Sequence, residues 1–223
     1  METLLLILLA VYGTIASTPE PTRAPPAKAK AQAESEAPPG AGAAPQLGRL
    51  LVVGDSLAEA TEAPLAQLLP GWQIETSASR GRHTDDGVAE IVSRPNLPDV
   101  IFVSLGTNDL PSATASFESQ VNRVLDAAGP SRCVLWANIA RPPYAGVSYA
   151  GYNQVLKRLS YARPNLNVVD WARITASQPG LLGSDGVHAT SEGYAVRAQA
   201  IASAIASCGG VQPYGGATGV PGD

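Results

Sequence analysis

Residues 100–109 read Val-Ile-Phe-Val-Ser-Leu-Gly-Thr-Asn-Asp, and their character changes after the sixth. The first six form a strand-length apolar run, of the kind buried on both faces of a parallel sheet. The last four favour turns. An apolar strand ending in Gly106-Thr107-Asn108-Asp109 predicts a polar loop at the carboxyl end of a central strand. Open α/β sheets bind their ligands at such ends.

The pattern repeats on both sides of this stretch. Strand-length apolar runs occur at 50–53, 72–76, 133–139 and 166–169. Helix-length segments lie between and after them, at 57–69 (which Pro64 divides), 84–93, 115–128, 149–162 and 191–207. Thr84-Asp85-Asp86 has the form of an N-cap with acidic first-turn residues. Phe117, Val121, Val124 and Leu125 share one helix face. Strand alternating with helix five times predicts an α/β fold, a three-layer doubly wound, flavodoxin-like sheet of five parallel strands.

Composition sets the limits of this domain. Residues 4–16 are an uncharged apolar run, too short to span a bilayer and suited to a signal-peptide core, although Glu2 and the lack of Lys or Arg before it make an unusual start. Residues 1–17 therefore read as a signal peptide or membrane anchor, which implies a secreted or extracytoplasmic protein. Residues 18–46 hold 7 Pro and 9 Ala and form an expected disordered linker, a candidate tether to membrane or wall. Residues 47–208 are the folded domain, and 209–223, with 6 Gly, a flexible tail. The net charge of −4, without a basic run, argues against nucleic-acid binding. Two Cys and two His are too few for a Cys/His zinc cluster. Cys133 begins the fourth strand and Cys208 ends the last helix. Both should fall opposite the polar loops, where a disulfide needs Cα atoms within about 7 Å; two separate thiols are the alternative.

Polar signals follow the apolar runs. The first strand ends in Val53-Gly54-Asp55-Ser56, which places Ser56 at or near a helix N-terminus with its free N–H groups. An N-cap would explain Ser56 equally well. Asn108 offers an amide donor without a competing charge, though a plain turn also accounts for it. Asp185 and His188 are three apart just before the last helix, so one turn of chain can bring carboxylate to imidazole; an ordinary loop histidine is the other reading. Residues 77–84 carry Gly81, whose backbone N–H could approach the same point, with Arg80, Arg82 and His83 beside it. Arg141-Pro142-Pro143-Tyr144 follows the fourth strand at the expected cleft rim. Trp136 and Trp171 fit core packing better than sugar stacking.

Taken together, Gly54-Asp55-Ser56, Gly81, Gly106-Thr107-Asn108-Asp109 and Asp185-Gly186-Val187-His188 resemble, in this order, the four blocks of the SGNH (GDSL-type) hydrolases. That resemblance spans the domain and implies Ser56 as nucleophile, His188 as general base and Asp185 as its partner. It implies an oxyanion hole from the N–H groups of Ser56 and Gly81 and the Asn108 amide. Arg82 and Arg141 are the candidate substrate contacts. It further implies an acyl-serine intermediate, an acyl ester substrate that is a small molecule or polysaccharide, and no metal or cofactor. Gly81-Arg82, residues 105–108, Val168-Val169-Asp170-Trp171 and residues 185–188 are similar to extracytoplasmic SGNH domains attached to membrane acyltransferases, which O-acetylate polysaccharides. The transmembrane helices that supply an acyl donor there are missing from these 223 residues. The expectation is a serine esterase for short acyl groups, carbohydrate-borne ones among them. An O-acetyltransferase and a non-catalytic carbohydrate-binding module on the same fold are the alternatives.

Overall fold

Five parallel strands carry the molecule: β1 (Gly48–Gly54), β2 (Trp72–Ala78), β3 (Val100–Ser104), β4 (Cys133–Ala137) and β5 (Leu166–Val169), in the order β2-β1-β3-β4-β5. The structure, a computed structural model, describes residues 47–208. The signal or anchor expected at 1–17, the linker at 18–46 and the tail at 209–223 lie outside the described residues. The connecting helices are α1 (Ser56–Leu68), α2 (Thr84–Ser93), α3 (Thr114–Ala128), α4 (Ala150–Ala162), the short α5 (Trp171–Ser177) and α6 (Ser191–Ala206). This is the flavodoxin-like order that the alternation of runs predicts.

Strand side chains alternate between two cores, as the period of two requires. Leu51, Val53, Ile101, Val103, Val134 and Trp136 face α2, α3 and α4. Leu50, Val52, Val100, Phe102, Leu135 and Ala137 face α1 and α6. Every residue of β3 is buried, so its run had no polar face to show. Trp136 and Trp171 are both fully buried, as core packing requires.

Two local expectations need correction, and one helix was not expected. Pro64 does not divide α1, which is continuous. The carbonyl deprived of its partner belongs to Ala60, which is exposed to water, and that tolerates the break in the ladder. Thr84 does not cap α2: His83 holds the cap position without a side-chain bond, and the Thr84 hydroxyl donates to Asp109 instead. Helix α5 is absent from the predicted elements. Asp170 caps it, its carboxylate accepting from Arg173 N, and it runs only seven residues from Trp171.

The register brings the loops together. Gly54 is level with Ala78 of β2 and Ser104 of β3, so the three strands end side by side. A methyl on Gly54 would lie 2.9 Å from the Ser104 carbonyl, which is why a glycine closes β1. At the opposite end, Cys133 and Cys208 form a disulfide with Cα atoms 5.8 Å apart. Among the described residues, no helix is long and apolar enough to cross a membrane.

Candidate active site

The turn from β1 into α1 sets the first group. Asp55 is the N-cap, its carboxylate accepting from Leu57 N at 2.9 Å. Ser56 is therefore the first helical residue and not the cap. Its N–H has no acceptor among the described residues, as expected for the first turn of a helix. The Oγ of Ser56 lies 3.0 Å from His188 Nε2.

The segment before α6 supplies the second group. One carboxylate oxygen of Asp185 accepts from the backbone N–H groups of Val187 and His188, at 2.9 and 3.0 Å. The other lies 2.7 Å from His188 Nδ1. The His188 ring N–H, followed by the backbone donor Val187, holds the Asp185 carboxyl down at about 2, from an ordinary 3.8. An ionised carboxylate only accepts, so Nδ1 carries the ring proton and Nε2 is left to accept from Ser56 Oγ–H. Asp185 and His188 side chains are each 51% exposed, so solvent reaches the pair.

Two further donors border the same cleft of about 570 Å³, which is lined by Ser56, Glu59, Ala60, Arg80, Gly81, Asn108, His188 and Tyr194. Gly81 has φ +73°, a left-handed conformation that few side chains tolerate, and its N–H has no acceptor among the described residues. The Asn108 amide is held from below, donating to the Arg82 carbonyl at 3.2 Å and, more weakly, to Asp55 Oδ2 at 3.4 Å. Thus Ser56, Gly81, Asn108 and His188 converge, with Asp185 behind the imidazole.

The two arginines do not join them. Arg82 Nη1 donates to the Ser77 carbonyl at 2.8 Å and lies 3.4 Å from Glu90 Oε2, so its charge is committed between β2 and α2. Only its backbone carbonyl serves the site, through Asn108. Arg141 donates to the Thr107 carbonyl and stacks 5.2 and 5.7 Å from the Tyr144 and Tyr149 ring centres. It lines a separate groove of about 480 Å³ with Pro142, Tyr149 and Gly186. Arg80, not Arg82, borders the cleft, its Nε 3.3 Å from Glu59. Tyr194 escaped the sequence reading, although its place one turn into α6 was a usable signal. His83 pairs with Asp109 at 2.9 Å outside the cleft lining.

No protein-family model matches the chain, and no curated protein does. Solved structures do. The C-terminal catalytic domain of Streptococcus pneumoniae peptidoglycan O-acetyltransferase A, carrying a methylsulfonyl adduct, is 20% identical, with a TM-score of 0.61 over 72% of this chain and 93% of that one. A family 3 carbohydrate esterase from Clostridium thermocellum is 20% identical, with a TM-score of 0.56 over 71% and 98%. A member of the lipolytic G-D-S-L family from Veillonella parvula is 16% identical, with a TM-score of 0.58 over 71% and 98%. The chain has the fold of the SGNH (GDSL-type) hydrolases.

Proposed function

We propose that this protein is a serine ester hydrolase that removes short acyl groups, with carbohydrate O-acyl esters as the favoured substrate class. The observation that carries the reading is the hydrogen-bonded line Ser56 Oγ, His188, Asp185, at 3.0 and 2.7 Å, beside the N–H groups of Ser56 and Gly81, which have no acceptor among the described residues. A pure binding module has no use for that line.

In this reading His188 Nε2 takes the Ser56 proton as Oγ attacks the ester carbonyl. The carbonyl oxygen becomes an oxyanion facing Ser56 N–H, Gly81 N–H and the Asn108 amide, whose N–H on the long 3.4 Å contact to Asp55 is shared with it. Asp185 stabilises the imidazolium across the Nδ1–H bond. As the tetrahedral species collapses, the imidazolium gives its proton to the departing alcohol and an acyl-Ser56 remains. His188 then deprotonates a water, which attacks the acyl carbon, and the proton returns to Ser56 Oγ. The Cys133–Cys208 bond agrees with an oxidising, extracytoplasmic location.

Turnover of p-nitrophenyl acetate by the wild type and by Ser56→Ala tests the reading. The variant should fall to the rate of the buffer blank, and equal rates would remove Ser56 as nucleophile. Transfer to a polysaccharide hydroxyl is the second reading, favoured by the similarity to the pneumococcal O-acetyltransferase domain. Mass spectrometry of an oligosaccharide incubated with enzyme and acyl donor decides it, since free acetate as the sole product excludes transfer.

A further inference from the structure

Below Ser56 lie two buried charges that take no part in the acyl transfer itself. Asp55 is 0% exposed and Arg197, on α6, 1%. Arg197 Nη2 donates to Ser104 Oγ at 2.9 Å, and its guanidinium carbon sits 5.1 Å from the centre of the Trp171 ring. Its Nε and Nη1 have no hydrogen-bond partner among the described residues. The Ser104 backbone carbonyl in turn accepts from Asp55 N at 3.1 Å. A fully buried guanidinium with one hydrogen bond opposes folding, since desolvating a charge is repaid only by good partners. Such a group in a folded protein calls for a reason, and the buried carboxylate that shares Ser104 with it is Asp55.

The two groups act on each other through the interior. Burial pushes the Asp55 carboxyl up from its ordinary value, while the Leu57 N–H bond and the Arg197 charge pull it down. Burial likewise lowers Arg197 to about 10, opposed by Asp55 and by Tyr194, the titratable groups that face it. Asp55 accepts from Leu57 N–H, one residue past the nucleophile, and from the Asn108 amide. As a carboxylate it receives both donors. As a neutral acid it would turn an O–H toward one of them, donor against donor, and loosen either the Ser56 turn or the Asn108 amide.

We propose that Arg197 is a positioning residue, which through Asp55 keeps the Ser56 turn and the Asn108 amide set to receive the oxyanion. This rests on the hydrolase reading. It makes the buried arginine part of the active site's support, although it touches no substrate.

The test uses the full chain with p-nitrophenyl acetate from about pH 5 to pH 8, because removal of Arg197 lets Asp55 take up its proton at higher pH. In Arg197→Met, kcat at the acid end should drop toward the ~10²-fold loss typical of a missing oxyanion donor, recover toward the alkaline end, and leave KM little changed. Arg197→Lys, which keeps the charge, should restore the wild-type shape of the profile. Asp55→Asn should be slow at every pH, and adding Arg197→Met to it should cost little more. The folding constants of the two single variants and the double should depart from multiplicativity by about tenfold or more. A wild-type profile shape in Arg197→Met, or losses that simply multiply in the double variant, overturns the proposal. If Arg197→Met does not fold, the Arg197→Lys profile and the folding of the double variant, which has neither charge, still decide. Failure of the hydrolase reading is seen separately, as equal turnover by wild type and Ser56→Ala, and the folding cycle stands without turnover.

Discussion

Removing the Cys133–Cys208 bond should cost stability without touching chemistry. The bond closes a loop with a sequence separation of 75. With that length, the chain-entropy relation gives about 15 cal/mol/K, or about 4.5 kcal/mol at 25 °C. For a domain of this size each kcal/mol corresponds to about 2–4 °C, so the midpoint of thermal unfolding should fall by about 9–18 °C. Guanidinium unfolding followed by fluorescence of the buried Trp136 and Trp171 is a direct assay, comparing wild type, reduced wild type and Cys133→Ala/Cys208→Ala. The reduced wild type separates the crosslink from the small packing change at Cys208, which is buried. Below the unfolding transition, kcat should be unchanged, because α6 has 16 residues and spans about 24 Å between the bond and the His188 end. A loss of less than about 1 kcal/mol on reduction would refute the loop-closure reasoning. An altered kcat at low temperature would refute the separation of scaffold from site.

Other substitutions probe the site from different sides. Asp185→Asn should lower kcat toward the ~10⁴-fold loss seen when the orienting carboxylate of such a triad is neutralised, in steady-state assays on a still-folded protein. Because Asp185 is held at about 2, it stays charged as the pH is lowered to about 3, so the acid loss of wild-type activity above that belongs to other groups. Gly193→Ala would gain helix propensity yet press a methyl against the Leu181 carbonyl and to 2.9 Å from Ala189 Cβ. The clash should win, lowering the melting temperature by several degrees and displacing the Asp185–His188 segment, so that kcat falls too; a stabilised, fully active variant would contradict the packing. Arg82→Ala should cost about 1.5–3 kcal/mol by urea unfolding, since it breaks a largely buried charged hydrogen bond, and leave KM unchanged. A raised KM at constant stability would return Arg82 to the cleft.

Much of this arrangement was readable because it is local in the chain. The turn linking Asp185 to His188 spans three residues, and a carboxylate that short accepts from the N–H groups just ahead of it wherever the segment goes. Strands β1, β3 and β4 announced themselves because strands buried on both faces leave no polar face to confuse the period, whereas edge strand β2 alternates, with Gln73 and Glu75 exposed. What escaped the sequence depends on relations between distant segments. Arg82 looked like a substrate contact because its partner Glu90 becomes a neighbour only once α2 folds back beside β2. Pro64 looked like a break because the fate of the Ala60 carbonyl depends on which face of α1 meets water. Arg197 had a signal of its own: it stands in the buried stripe of α6 with Gly193, Ile201 and Ile205, four residues apart. A charge on an apolar stripe asks for a buried counter-charge, and Asp55 lies 142 positions earlier, beyond any local pattern.

On the proposed hydrolase reading, the openness of the imidazole and its carboxylate shapes the fate of an acyl-Ser56. With the His188 and Asp185 side chains each half exposed, bulk solvent would compete for the acyl carbon from the moment the first alcohol departs. A sugar acceptor would have to act as its own lid, covering the mouth of the cleft for as long as the attack takes. An enzyme built this way would default to releasing free acid, and its choice of nucleophile would be governed by how large a surface the incoming molecule lays across the opening.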